Sequence, residues 1–236
     1  GEGKPTLLVV GSLNADIIVP VDQYPKKGET VMARDTEDAG RCFTGGKGAN
    51  QAVAAARLGA HSRFICQLGN DAHAPSLEKE LIDNGVDVSK CGRSERPSGQ
   101  GIVLLEQGGG VSSIVVRGSN ADWPVGASYD DALNGASAVL LQREIPEHVN
   151  EEVAAAARAR GVYVFLDVGG ENREISDKLL FMIDYLCPNE TELERLTGMP
   201  THTHEEVVCA AQALQKRGVR NVLVTLGGGG PPPLPP

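Results

Sequence analysis

The sequence predicts a three-layer α/β fold, with a central, mostly parallel sheet between two layers of helices. From residue 129 onward, apolar runs of strand length alternate strictly with helical segments, as they do where crossover helices join parallel strands. The first apolar run, Thr6–Val10, is continuous rather than alternating, which is typical of a strand buried on both faces. With 236 residues, the chain is long enough for one such domain.

The individual elements follow from apolar runs and from helix start and stop residues. The expected strands cover residues 6–10, 17–19, 30–32, 64–66, 101–105, 113–116, 138–141, 162–167, 185–187 and 221–225. The expected helices cover residues 49–58, 75–84, 130–133, 146–160, 175–180 and 205–217. The strands at 17–19 and 30–32, and those at 101–105 and 113–116, flank turn residues. We therefore predict two hairpins in a small accessory β layer.

Composition excludes several classes of protein. The chain has 22 Lys and Arg against 31 Asp and Glu, a formal charge of −9, which disfavours a general nucleic-acid or membrane surface. No apolar run reaches the length of a membrane span. The five cysteines are widely spaced without a C-x-x-C motif. A disulfide framework and a zinc ribbon are therefore disfavoured, and a reducing compartment is favoured.

The sharpest local motif is Gly45-Gly46-Lys47-Gly48-Ala49-Asn50, at the start of an Ala-rich helix. Glycines let the backbone approach a ligand, and a helix N-terminus supplies N–H donors. The spacing is that of neither a P-loop nor a G-x-G-x-x-G fingerprint. From spacing alone, a ligand loop and a plain glycine turn before a helix are about equally good interpretations.

Polar residues also follow two of the predicted strands. Asn14 and Asp16 come after the first strand, and Glu144 follows the strand at 138–141. Ligands of open α/β sheets bind at the carboxyl ends of the strands, where these side chains are suited to bind hydroxyl groups. The alternatives are an Asx-turn for Asn14 and Asp16 and a solvated loop carboxylate for Glu144.

A third polar segment, Pro188-Asn189-Glu190-Thr191-Glu192, lies between a predicted strand and a helix. Asn189 as N-cap with Glu192 three residues later is the pattern of a capping box, which explains much of the segment. The functional alternative is that these groups face a metal–phosphate, with Mg²⁺ held through water by a carboxylate.

Together these motifs resemble the ribokinase-like (PfkB) carbohydrate kinase family. The segments that carry the resemblance, in the family's order and at its spacing, are residues 11–16, 45–52, 188–192 and 224–227. The resemblance covers nearly all of residues 5–229, and segments 141–146, 166–170 and 196–200 look like those of plant-type members. Lys47 favours the ribose-specific branch over fructokinase-like relatives. We expect a ribokinase-like domain over residues 5–230.

The resemblance implies a role for each matching residue. The sugar site would comprise Asn14, Asp16, Gly45, Gly46, Lys47, Asn50 and Glu144. The nucleotide site would comprise Asn189, Thr225, Gly227, Gly228, Gly229 and Gly230. Glu192 would hold Mg²⁺ through water. Strands within about 17–34 and 101–116 would form a β lid over the sugar and the contact of a homodimer.

The implied reaction transfers the γ-phosphoryl group of ATP to O5 of D-ribose and gives ribose 5-phosphate, with Mg²⁺ and, in the family, K⁺ as cofactors. The family's catalytic base is the Asp of a Gly-Ala-Gly-Asp segment, and this sequence contains no such segment. We therefore expect the C-terminal part of the fold, with the base and the K⁺ loop, to be missing. No catalytic residue is assigned, and residues 231–236 are interpreted as a proline-rich tail.

Two other interpretations stay open. One is a truncated, inactive form that binds or senses a sugar, and the other is a kinase of another sugar or of a nucleoside. D-ribose and ATP are the expected partners, with no nucleic acid and no membrane. The cysteine usage and the resemblance to plant-type members favour the cytoplasm or the plastid stroma.

Overall fold

The computed structural model describes residues 3–227. Within them the strands are β1 (Thr6–Val10), β2 (Asn14–Val21), β3 (Cys42–Gly45), β4 (His61–Ile65), β5 (Gln67–Leu68), β6 (Gly92–Arg93), β7 (Gly99–Glu106), β8 (Val111–Val116), β9 (Ala138–Arg143), β10 (Tyr163–Gly170), β11 (Tyr185–Cys187) and β12 (Asn221–Val222). The helices are α1 (Lys47–Arg57), α2 (Ala74–Asp83), α3 (Asp130–Leu133), α4 (Glu147–Ala159), α5 (Asp177–Leu180), α6 (Glu190–Thr197) and α7 (His204–Lys216).

The main sheet has six strands among the described residues, in the order β12-β11-β10-β9-β1-β4. Every neighbouring pair in it is parallel. β1 and β9 are neighbours near one edge of the sheet. β4 lies beyond β1, and β10, β11 and β12 follow beyond β9 in chain order, as short crossover connections between neighbouring strands favour. The predicted parallel sheet is therefore confirmed.

Helices cover both faces of this sheet. Successive residues of β1 enter different apolar clusters, since Leu8 and Val10 pack with α4 and α5 whereas Val9 packs with α1 and α2. All three side chains are fully buried. Because side chains of a strand alternate between faces, the continuous apolar run in β1 reflects burial on both sides, as the sequence predicts.

A second, four-stranded sheet has the order β3-β2-β7-β8. β2 is antiparallel to β3 and parallel to β7, and β7 and β8 form the predicted hairpin. The predicted strand at residues 30–32 is wrong, so within the expected lid span of 17–34 the structure has one strand, β2, and the lid itself stays a prediction. β3 and β7 occupy the two edges of β2, so residues 22–41 form a loop joined to β2 by isolated hydrogen bonds from the amides of Arg34 and Gly40.

Some expectations concern the ends of the chain. Gly228, Gly229, Gly230 and the segment 231–236 lie outside the described residues. The last strand is shorter than predicted, because β12 ends at Val222 and Thr225 makes an isolated parallel bridge with Asn189. Among residues 3–227, no helix has the length and apolar character that crossing a membrane requires.

Candidate functional site

The start of α1 is built against the loop between β1 and β2. Gly46, the N-cap, has φ of 88°, a left-handed conformation that glycine adopts without strain. A β-carbon there would lie 3.1 Å from the Asn14 amide nitrogen and the Ser12 carbonyl oxygen. The glycine-rich sequence is therefore explained by the close approach of two backbone segments.

The first N–H groups of α1 are already used within the protein. The amide of Lys47 donates to Glu144 Oε2 at 2.8 Å, and the amide of Gly48 donates to Ser12 Oγ at 3.1 Å. Ser12 Oγ in turn donates to Glu144 Oε2 at 2.5 Å. A carboxylate at a helix N-terminus is favourable, so Glu144 fixes α1 against the end of β9. No hydrogen bond among the described residues uses its other oxygen, Oε1.

Asp16 lies in a slot between two glycines of the second sheet. It stands in β2 opposite Gly101 of β7, and its carboxylate occupies the space that a β-carbon on Gly45 or Gly101 would need. Its Oδ1 is buried, with no hydrogen-bond partner among the described residues. Burial, and then the charge of Glu144, raise the pKa of Asp16, while the backbone N–H of Gly46 lowers it. A buried oxygen without a donor is costly, which marks the Asp16 carboxylate as a candidate acceptor for a ligand hydroxyl.

Asn14 is buried beside Asp16 and is held by a residue that sequence reasoning missed. Asn120, in the single 3-10 turn Gly118–Ala121, donates from Nδ2 to Asn14 Oδ1 at 2.7 Å. The Leu13 amide donates to Asn120 Oδ1 at 2.9 Å. Asn120 therefore fixes Asn14 Oδ1, and Asn14 Nδ2 makes no hydrogen bond among the described residues.

Lys47 forms an ion pair with Asp167 at the end of β10. Its Nζ lies 3.1 Å from Asp167 Oδ1, and both side chains are half-buried. The Gly169 amide donates to the same oxygen at 2.7 Å. Sequence reasoning assigned no function to Asp167, although its place at the carboxyl end of a strand next to β9 was a usable signal.

A cavity of about 540 Å³ opens between the second sheet and the carboxyl ends of β9 and β10. Lys47 and Glu144 line it, together with Arg117 and Glu171, whose ion pair of 3.1 Å joins β8 to the loop after β10. The wall on the side of the second sheet includes Val115 of β8. The cavity is thus polar on the main-sheet side and partly apolar on the other.

Asn50 does not line this cavity. It is exposed on α1 and lines a separate groove toward α2, with Thr44 and Glu80. The two groove neighbours are themselves joined, since Thr44 Oγ1 donates to Glu80 Oε2 at 2.6 Å. Of the predicted sugar-site residues, Lys47 and Glu144 line the cavity, whereas Asn14, Asp16, Gly45, Gly46 and Asn50 do not. The binding roles of all of them stay predictions.

Of the predicted nucleotide residues, Asn189, Thr225 and Gly227 are described by the structure, and they come together at the ends of β11 and β12. Asn189 and Glu192 form the predicted capping box of α6, with hydrogen bonds of 2.8 and 2.9 Å between each side chain and the other's amide. The Thr225 amide donates to Pro188 O at 3.0 Å, and the Gly227 amide donates to Glu190 Oε2 at 3.0 Å. The functional roles of Asn189, Thr225 and Gly227 stay predictions.

A metal site is not prebuilt among residues 3–227, which contain no group of three or more His, Cys, Asp and Glu side chains placed to hold an ion. Mg²⁺ is commonly held by one or two carboxylates together with phosphates and water. Glu192 fits that mode, since only its Oε2 is used in the capping box.

Comparison with known proteins identifies the class. Residues 4–230 match the model of the pfkB family carbohydrate kinases, and the chain belongs to that family. It is 46% identical over 233 residues to the ribokinase of Arabidopsis thaliana and 34% identical over 230 residues to that of Haemophilus influenzae. These alignments include 96% of this chain in both cases, and 60% and 74% of the respective relative.

A solved structure agrees with the fold. The structure of Arabidopsis thaliana ribokinase complexed with ribose and ATP superposes with a TM-score of 0.84 at 45% identity, covering 95% of this chain and 73% of that one. The chain spans about 60% of the full Arabidopsis ribokinase sequence, which is longer than the chain in that solved structure.

Proposed function

We propose that the protein phosphorylates D-ribose at O5 with ATP and gives ribose 5-phosphate. The observation that carries this is the buried, unpartnered Asp16 Oδ1 in a slot bounded by glycines, beside Asn14 and within the electrostatic influence of Glu144. These groups offer acceptors and a donor to neighbouring hydroxyl groups. Similarity to a ribokinase whose structure contains ribose and ATP supports the same assignment.

In this proposal Asp16 and Glu144 accept from ribose hydroxyl groups, and Asn14 and Lys47 donate to ribose oxygens. Gly45 and Gly46 let the sugar approach the backbone. Asn50 stands in the first turn of α1 but lines the groove toward α2, so its proposed contact with the sugar requires a change of side-chain rotamer. The binding free energy of several such hydrogen bonds orients the sugar, and positioning is a large part of catalysis in phosphoryl transfer. The second sheet covers the sugar as a lid, through β7 and β8.

The nucleotide binds, in this proposal, at the ends of β11 and β12. Asn189, Thr225 and Gly227, with Gly228, Gly229 and Gly230, contact ATP, and Glu192 holds Mg²⁺ through water. When bound, Mg²⁺ neutralises phosphate charge during transfer. K⁺ is the proposed monovalent activator. The general base is assigned to no residue of this sequence, which has no Gly-Ala-Gly-Asp segment.

The direct test measures ribose 5-phosphate formation from ribose, ATP and Mg²⁺ with the protein as its natural source produces it. We expect turnover with ribose and turnover reduced by roughly 100-fold or more for Asp16→Asn, as loss of a charged hydrogen-bond partner predicts. Other pentoses, hexoses and nucleosides, assayed in parallel, should react more slowly. Faster turnover of one of them would assign that substrate instead. Ribose binding without turnover would support a sugar-binding or regulatory role.

We also propose that two copies associate through the second sheet. All of β8 is exposed, with exposed fractions of 65% for Val111, 59% for Ile114 and 49% for Val116. An exposed edge strand of this kind favours pairing with another chain. Sedimentation should give a dimer for the wild type and a monomer for Ile114→Lys, and a wild-type monomer at high concentration would contradict the proposal.

The cytoplasm or the plastid stroma is the proposed compartment. The five cysteines are all unbridged in the structure, which suits a reducing environment. Fractionation of the source tissue, with the protein detected by antibody, tests this directly. Recovery from a secreted fraction would contradict it.

A further inference from the structure

Two cysteines face each other outside the sugar and nucleotide sites. Cys66 lies between β4 and β5, and Cys91 directly precedes β6. In the parallel pair β5–β6, Gln67 lies opposite Gly92. Cys66 and Cys91 are the residues directly before these two, so they also lie opposite each other. The Gly92 amide donates to Cys66 O at 2.8 Å, which holds the two backbones at strand spacing.

The geometry suits a disulfide. Neighbouring strands lie about 4.8 Å apart, and a disulfide needs α-carbons about 4.4–6.8 Å apart. The Cys66 thiol donates to Cys91 Sγ at 3.5 Å, so a small side-chain rotation brings the sulfurs to bonding distance. Among the described residues, no other two cysteines are joined by a hydrogen bond.

The two thiols have different surroundings. Cys66 is fully buried, and burial raises its pKa well above the usual range. Cys91 is partly buried, its thiol donates to Phe64 O at 3.3 Å, and the hydrogen bond from the Cys66 thiol lowers its pKa. Because the thiolate is the reactive form, Cys91 is the thiol that an external reagent meets first and Cys66 is the one that resolves the product.

We propose that Cys66 and Cys91 form a site of reversible disulfide modification, oxidised by a low-molecular-weight disulfide of the glutathione type. The Cys91 thiolate attacks one sulfur of that disulfide, forms a mixed disulfide and releases one glutathione thiolate. The Cys66 thiol gives its proton to the released glutathione thiolate and attacks the Cys91 sulfur, which releases the second glutathione as its thiolate. The protein loses two protons and two electrons, and glutathione disulfide is reduced to two thiols.

The bridge would close a ring of chain that contains α2 and Asp71. Asp71 accepts hydrogen bonds from both the amide and the hydroxyl of Ser98, each at 2.8 Å, directly before β7 and the glycines around Asp16. Oxidation therefore restrains the segment that supports one wall of the sugar site. Because a cross-link restricts the unfolded chain, we expect the melting temperature to rise by on the order of 5 °C.

The test exposes the reduced wild-type protein to glutathione disulfide and maps the thiols by mass spectrometry. We expect the loss of two hydrogen atoms from the intact mass, a linked peptide pair containing Cys66 and Cys91, and the higher melting temperature, all reversed by dithiothreitol. Cys91→Ser should abolish the linked pair, whereas Cys209→Ser, at an exposed position on α7, should leave it unchanged.

Two results would overturn the proposal. One is a Cys66–Cys91 pair that stays reduced while the exposed Cys209 becomes glutathionylated. The other is a glutathione adduct that persists on Cys91 without resolution by Cys66. Peptide mapping of the wild type decides both, even if Cys91→Ser does not fold, and neither result depends on the proposed kinase activity.

Discussion

The proposed sugar side and the proposed nucleotide side of the candidate site are built in different ways. On the sugar side, hydrogen bonds connect residues far apart in sequence, such as Ser12 with Glu144 and Lys47 with Asp167. On the nucleotide side, Asn189 and Glu192 bond to each other's amides across three residues. The first arrangement requires the tertiary fold, whereas the capping box requires only the start of a helix, although contacts from Thr225 and Gly227 join it to β12 and the residues after it.

The residues around Asp16 therefore have the features of a preorganised binding site, whereas Asn189 and Glu192 have those of a helix cap. Asp16 keeps a buried oxygen without a partner, and its slot exists because Gly45 and Gly101 have no side chains. The capping box leaves no comparable unpaired oxygen buried in α6. Substitutions on the sugar side should therefore change ligand affinity, and substitutions in the capping box should change stability first.

The largest effect is expected from Gly101→Ala. The new methyl group would overlap Asp16 Oδ1, so the carboxylate must leave its slot. We expect ribose affinity to fall by roughly 100-fold, as for loss of a charged hydrogen bond. Calorimetric titration measures this, with Gly108→Ala as a matched control, since a β-carbon at Gly108 meets only the end of Glu106. Unchanged affinity in Gly101→Ala would mean that Asp16 does not bind the sugar.

A smaller effect is expected from Asp167→Asn. Loss of the ion pair frees Lys47 to adopt other rotamers, and a half-buried pair of this kind contributes about 1 kcal/mol. Ribose affinity should fall roughly 5-fold with ATP affinity unchanged, and Asp167→Glu should recover part of it. Asp83→Asn, which removes the surface partner of Lys79, is the control. An equal loss of ribose and ATP affinity would indicate a general structural defect.

The pH dependence of Asp16 has opposite signs for binding and for stability. Because burial and Glu144 raise its pKa in the folded protein, the group favours folding below its ordinary pKa, and that contribution is lost as pH rises through the raised value. Ribose binding needs the ionised acceptor, so affinity should fall as pH drops through the same value. Titrations and melting curves of wild type and Asp16→Asn across this range test both signs. An Asp16→Asn protein with the wild-type pH profile would contradict them.

The smallest effect is expected from Glu192→Ala. The substitution removes the hydrogen bond from the Asn189 amide to Glu192 Oε2 and keeps that from the Glu192 amide to Asn189 Oδ1. Loss of one exposed hydrogen bond costs about 0.5–1 kcal/mol, so the melting temperature should fall by about 1–4 °C. Ribose affinity should stay unchanged. Glu194→Ala on the same helix, where no side-chain hydrogen bond is lost, is the matched control. A fall in ribose affinity for Glu192→Ala would show that the two sides are coupled.

The sequence predicted the parts of this molecule that depend on local pattern. The alternation after residue 129 predicted the parallel sheet, and the spacing of Asn189 and Glu192 predicted a capping box. The prediction of a strand at residues 30–32 is wrong, because apolar content does not show which strand a segment pairs with. Both edges of β2, the expected partner, are already paired with β3 and β7.

Residues that act through distant contacts were harder to predict. Asn120 reaches Asn14 across 106 positions of the sequence, and Asp167 reaches Lys47 across 120. Asn120 belongs to no motif that the sequence marks, and Asp167 lies in segment 166–170, which resembles the family but indicates no role for it. Only the order β10-β9-β1 in the sheet brings Asp167 and Glu144 to the same edge, and that order follows from tertiary packing.

The central claim is that the sugar side is a preformed ribose site that does not depend on the nucleotide. Titration of ribose into the natural protein without ATP, for wild type, Asp16→Asn and Glu192→Ala, tests it most directly. We predict saturable binding with equal affinity in wild type and Glu192→Ala, and affinity at least roughly 100-fold lower in Asp16→Asn. Binding that requires ATP, or wild-type affinity in Asp16→Asn, would contradict the claim.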